Sequence, residues 1–195
     1  MTGRRLAIVQ GHPDPAGDRL CRRLAAAYAD GARGAGHEVR VIEVATMPIA
    51  FLRSQADFEK GGADPAVAEA QQTLAWAEHW LVVYPLWLGS MPALLKAFFE
   101  QACRPGFAFR YRRKKLPKKL MAGRTAHVVV TMGMPAFAYR WIYFAHSLRA
   151  LKRNILGFIG VKAVRETLVG GVGGMTAERV AALEARLRAD GAALR

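Results

Sequence analysis

Apolar residues fall into short runs that alternate with longer amphipathic stretches, and this alternation sets the expected elements. Leu6–Gln10 is a short apolar run ended by Gly-His-Pro-Asp-Pro. Asp18–Arg33 then carries Leu20, Leu24, Ala27 and Tyr28 at the spacing of one helix face. Gly34 and Gly36 stop that helix, and Val39–Val44 reads as a second strand, completing a β-α-β unit. Ala45–Asp64 lacks periodicity and reads as a long connection with a turn of helix around Ser54–Glu59. A helix is predicted from Pro65 to about His79 with Asp64 as its cap, followed by a third strand at Leu81–Tyr84. Ser90 can cap a helix over Met91–Ala102, which Pro105-Gly106 ends. His127–Thr131 is the fourth strand and Phe137–Leu151 an aromatic-rich helix. Val164–Leu168 is the fifth strand, and Thr176–Ala189, capped by Thr176, is the last helix.

Five strands alternating with five helices imply an α/β domain, a parallel sheet covered on both faces. The 195 residues, 52% hydrophobic, suffice for one substantial core and are short for two, so a single domain over residues 1–195 is expected. Ligands of such sheets bind beyond the carboxyl ends of the strands where strand order switches, which directs attention to the loops after strands one, three and four. Trp80–Phe99 has Lys96 as its only charge, but Pro85, Gly89-Ser90 and Pro92 divide it into strand, loop and helix rather than a membrane span. The apolar run at the N-terminus is too short for a signal peptide, and Cys21 and Cys103 form no metal or disulfide pattern. A cytoplasmic protein is expected.

The formal charge of +14 invites a nucleic-acid reading, but no recognition module accompanies it. Arg residues are scattered, with one dense run at Arg110–Lys119. That run reads as a solvated basic loop, or as a patch steering NAD(P)H phosphates, anionic lipid or an acidic partner.

The first loop, Gly11–Arg19, leads into a helix whose N-terminal amides can hold a phosphate, with Arg19 adding charge. It reads equally as a stiff loop with Asp18 as helix cap. The glycine clusters at Gly31–Gly36 and Gly170–Gly174 lack the strand-to-helix context of a dinucleotide fingerprint and read as turns. Pro85-Leu86-Trp87-Leu88-Gly89 offers an aromatic and two aliphatics beside backbone amides, the combination a flat, amphiphilic isoalloxazine needs, although Trp87 could also be core filler.

Tyr84–Ala102 followed by Gly106-Phe107-Ala108-Phe109 resembles the signature of the flavodoxin-like NAD(P)H:quinone oxidoreductases. That family includes the animal quinone reductases and the bacterial ancillary proteins of glutathione-gated potassium efflux. His12-Pro13, Thr131-Met132-Gly133 and Tyr139 with His146 follow in the same order, so the similarity runs from Leu6 to Leu168. The resemblance implies a flavodoxin-like, five-stranded parallel sheet of order 2-1-3-4-5 and a flavin across the ends of strands one, three and four. His12 and the amides of Gly17, Asp18, Arg19, Leu20 and Cys21 would then meet the phosphate arm. Pro85, Leu86, Trp87 and Leu88 would line the ring, and Thr131, Met132, Gly133 and Met134 its pyrimidine side. Gly17, Asp18 and Cys21 depart from the family's usual serine and asparagine. The implied activity is hydride transfer from NAD(P)H to a quinone in a ping-pong cycle, with Tyr139 and His146 stabilising charge and relaying a proton. Phe107, Phe109, Trp141 and Phe144 would wall the substrate slot, completed by a second subunit in a homodimer. FMN is expected over FAD because the C-terminus after Leu168 offers no obvious adenine pocket. The competing reading is a flavin-containing regulatory subunit docked on a membrane transporter through its basic loop.

Overall fold

The computed structural model describes residues 3–15 and 19–194. In chain order these form β1 (Arg5–Gln10), α1 (Leu20–Gly34), β2 (Glu38–Glu43), α2 (Gln55–Lys60), α3 (Pro65–Trp76), β3 (His79–Pro85) and α4 (Ala93–Ala102). A hairpin of β4 (Phe109–Arg112) and β5 (Lys115–Lys119) follows, then β6 (Thr125–Thr131). The chain ends with α5 (Ala136–Trp141), α6 (His146–Ala150), α7 (Gly157–Ile159), β7 (Lys162–Val169) and α8 (Ala177–Ala193).

Five parallel strands form one sheet in the order β2-β1-β3-β6-β7. Alternate residues of the central strands face opposite layers. Leu6, Ile8, Leu81, Val83 and Val129 pack on α1 and α8, while Ala7, Val9, Trp80, Val82 and Val128 pack on the layer holding α3, α4 and 146–159. Strands buried on both faces read as continuous apolar runs, which is why these strands stand out in the sequence. The α1–α8 contact is too close for side chains at its glycines. A Cβ on Gly31 would lie 1.9 Å from the Arg188 carbonyl oxygen, and one on Gly191 2.1 Å from that of Tyr28.

Several expectations need correction. The basic segment is a β-hairpin, not a loop: Phe109 opposes Lys119 and Arg110 opposes Lys118 around a turn in which Lys114 is left-handed, φ 56°. The helix expected over Phe137–Leu151 breaks after Trp141, because Phe144 and Ala145 adopt left-handed conformations. It resumes as α6 and passes through a π-helical stretch, Leu151–Leu156, into α7. The third helix ends at Trp76, so His79 opens β3 instead of closing the helix. α4 starts at Ala93, and Ser90 closes a tight turn with Trp87 through two reciprocal backbone bonds of 2.9 Å rather than capping it. The helix expected from Asp18 starts at Leu20, with Arg19 in the cap position, and Asp18 and Gly17 lie outside the described residues. Asp64 and Thr176 do cap α3 and α8 as expected, and Ser54 caps α2.

Candidate functional site

β1, β3 and β6 are adjacent, and the chain leaves β1 toward β2 on one side before crossing back to β3 on the other. Their carboxyl ends therefore flank the point where connections diverge, the place an open parallel sheet leaves a crevice. Backbone bonds hold these ends together: the Gly11 N–H donates to the Val83 carbonyl, 2.7 Å, and the Leu86 N–H to the Thr131 carbonyl, 2.7 Å. The Met132 N–H reaches the Val169 carbonyl at 2.8 Å. Gly11 permits the tight join of β1 to α4, since a Cβ there would sit 2.6 Å from a Leu95 methyl.

From the first loop, the Asp14 N–H donates to His12 Nδ1 at 3.1 Å, which requires that nitrogen to be unprotonated and leaves the imidazole its Nε2–H. Burial holds the His12 pKa below its ordinary value, against the opposing pull of Asp14. The imidazole is thus neutral at pH 7. Its ring meets Trp87 edge-on, centroids 6.2 Å apart, joining the loops that follow β1 and β3. Trp87 is 51% exposed, so it is not core filler. It sits at the start of a turn whose central residues, Leu88 and Gly89, both have positive φ, and this presents Leu88 fully to solvent.

Cys21, in the first turn of α1, is buried with its Sγ 3.1 Å from Thr131 Oγ1, tying the helix start to the end of β6. Burial pushes the Cys21 thiol up to about 11. The buried Gln10 amide donates to the Cys21 carbonyl, 3.2 Å, and accepts the His12 N–H, 3.3 Å. Sequence reasoning passed over Gln10, whose signal is an amide closing an otherwise apolar strand. Among the described residues α1 has no side-chain cap, and its entrance is flanked by Arg19 and Arg22. Arg19 pairs with Asp14, its Nε donating at 2.9 Å, and Arg22 pairs with Glu43 at 2.9 Å.

The ring-facing assignments divide. Pro85, Thr131 and Met132 are buried, and the amides of Leu86, Trp87 and Met132 are spent within the fold. The N–H groups of Gly133 and Met134 are those of the third loop without a partner among the described residues. A Cβ on Gly133 would meet open space, so ligand can approach this backbone closely.

Tyr139 and His146 are not joined by a hydrogen bond or ring contact among the described residues. His146 is exposed beside Phe144, ring centroids 6.0 Å apart. Tyr139 is 1% exposed, and its phenol oxygen accepts the Leu148 N–H at 3.1 Å, serving as the cap α6 lacks from Ala145. Its O–H remains available to donate. Trp141 and Phe144 are exposed near the break. Phe109, by contrast, is buried, with its ring against Phe58, Tyr111 and Phe158. Phe107 is half-buried against the same core cluster. The described residues hold no cluster able to bind a metal ion, and no helix is long and apolar enough to cross a membrane.

The fold defines a doubly wound α/β protein with a crevice where three central strands end. The chain belongs to the family described as Flavodoxin-like fold, whose model matches residues 4–190. It is similar to the FMN-dependent NADH:quinone oxidoreductase 1 of Hahella chejuensis, 37% identical over 89 residues, covering 45% of this chain and 41% of that protein. It is 26% identical over 149 residues to the FMN-dependent NADH:quinone oxidoreductase of Haemophilus influenzae, covering 71% of this chain and 72% of that one. The match to the first two relatives thus spans under half of their length, 41% and 46%. The NAD(P)H:quinone oxidoreductase of Methanothermobacter marburgensis superposes with a TM-score of 0.80 at 24% identity, covering 99% of this chain and 98% of that one. An FMN-dependent NADH-azoreductase from Bacillus anthracis, in complex with FMN, superposes with a TM-score of 0.73 at 14% identity, again over 99% and 98%. These two structures share the fold.

Proposed function

We propose that the protein is an FMN-dependent NAD(P)H:quinone oxidoreductase acting by a ping-pong cycle. The observation that carries this reading is the half-exposed Trp87, set against His12 at the meeting of the three strand-end loops. The residues present fit a flavin. Leu86, Trp87, Leu88 and Met134 offer apolar surface, Gly133 and Met134 offer unspent amides, and the uncapped start of α1 with Arg19, Arg22 and the His12 Nε2–H offers donors to a phosphate. The relatives' names support FMN and a quinone. When bound, a flavin supplies two-electron hydride chemistry.

The chain's own part is binding, orientation and proton handling. Nicotinamide donor and quinone acceptor take turns at the same face of the flavin, beside the exposed Trp87 and Leu88. The exposed His146 imidazole moves a proton there, and the Tyr139 phenol, anchored on Leu148, offers its remaining O–H to charge developing at the site. A second subunit completes the slot. Phe109, Tyr111 and Phe158 line a cavity of about 290 Å³ with Phe58, Phe99 and Ile155, and none of the strand-end loop residues lines it. Trp141 and Phe144 stand exposed at the break between α5 and α6.

Purification followed by an absorbance spectrum and turnover with NADH or NADPH and a quinone tests the reading. A flavin spectrum after reconstitution with FMN and saturable quinone-dependent oxidation are expected. A protein that stays colourless with both FMN and FAD overturns it. Sedimentation velocity tests the homodimer, with a twofold mass expected at micromolar concentration.

A further inference from the structure

The net charge is not spread over the chain. Residues 101–165 contain 15 Lys and Arg and no Asp or Glu, which leaves 14 basic against 15 acidic residues elsewhere. Seven of those cations, Arg110, Arg112, Arg113, Lys114, Lys115, Lys118 and Lys119, sit on the β4–β5 hairpin. None of the seven makes an ion pair among the described residues, whereas Arg140, Lys152 and Arg165 are each paired with an acid. The two strands form a sheet of their own, anchored at one end by the buried Phe109 and by the Lys119 ammonium on the Gly157 carbonyl, 2.7 Å. Among the cations of the free end, Leu116 is 84% exposed, its carbonyl held by Arg112 Nε at 3.0 Å.

We propose that this hairpin is a peripheral docking surface for an anionic phospholipid bilayer. Uncompensated cations in this number match the negative surface potential of acidic lipids. An aliphatic side chain fixed among them adds the second contribution that stable adsorption requires, insertion at the headgroup boundary. A phosphate backbone would use the cations but gains little from Leu116, so the pairing of charge with an exposed aliphatic favours lipid over nucleic acid. With no helix able to span a bilayer among the described residues, the contact is with the surface. The inference stands on charge and exposure and does not depend on the reductase reading.

The test is co-sedimentation of the full chain with vesicles of phosphatidylcholine, with and without phosphatidylglycerol. Binding at least about tenfold tighter to the anionic vesicles is expected, falling off as salt is raised and the Debye length shrinks. Lys114→Glu with Lys115→Glu should weaken it by about tenfold or more, and Leu116→Ser by about threefold at unchanged charge. Thermal unfolding matching the parent chain verifies that each variant folds. Equal binding to neutral and anionic vesicles, or retention after the charge reversal, overturns the proposal. So does a DNA duplex that competes the vesicles off while Leu116→Ser changes nothing, which would identify a plain polyelectrolyte surface.

Discussion

Removing the Tyr139 hydroxyl strands the Leu148 N–H in the core, so Tyr139→Phe is expected to cost about 1–3 kcal/mol of stability, read by urea unfolding. Loss of turnover in that variant reports proton handling only if the folded fraction is held constant. His146→Gln, at an exposed ring, should leave unfolding unchanged and lower turnover. Equal turnover to the parent would remove His146 from the mechanism. Trp87→Ala should weaken FMN binding about tenfold by fluorescence titration, on the scale of a lost aromatic contact, without lowering thermal stability. Trp87 could be picked out from sequence because a large aromatic directly after an apolar strand sits where such sheets bind ligands. The part taken by Gln10 could not, since its hydrogen bonds to Cys21 and His12 link residues that only the fold brings near.

The central strands were readable because both faces are buried, giving unbroken runs such as Val128–Thr131. The hairpin was not, because its pairing is carried by backbone beneath a run of charges, and its turn uses Lys114 in a conformation that usually advertises itself with glycine or asparagine. The break between α5 and α6 was hidden for the same reason, with Phe144 and Ala145 taking left-handed backbone where no glycine marks it. Gly31, read from the sequence as part of a turn, lies inside α1, and its purpose, like that of Gly191, emerges only from the crossing of α1 and α8. Gly31→Ala should therefore destabilise the protein by about 2 kcal/mol or more despite alanine's better helix propensity, read as a drop in melting temperature. An unchanged or raised melting point would mean that the two helices separate freely.

At the scale of the molecule, the α1–sheet layer hides a titratable network. His79 Nε2 shares a hydrogen bond with the Tyr28 hydroxyl, 3.0 Å, and Nδ1 shares one with Thr125 Oγ1, 2.6 Å. Burial, with Arg4 and His127 nearby, lowers the His79 pKa from 6.5 to about 3. Between those values the unfolded chain takes up a proton that the fold refuses. The contribution of this group is whole above pH 6.5 and shrinks as pH falls, by up to about 1.4 kcal/mol per pH unit. Urea unfolding at pH 7 and pH 5 should show the loss in the parent and a shallower one in His79→Gln. Parallel declines would assign the acid sensitivity elsewhere.

The crossing of the first and last helices also bears on how the protein is made. While one face of α1 packs on the sheet, the flank that carries Gly31 is covered by α8, so it emerges early in synthesis and finds that cover only once Ala177–Ala193 has been added. Throughout elongation the ribosome would carry a chain with a sticky helix and no lid, a natural client for a holding chaperone. Stalled nascent chains ending before α8 are expected to be cut rapidly by protease, and those extended past it to become resistant in a single step.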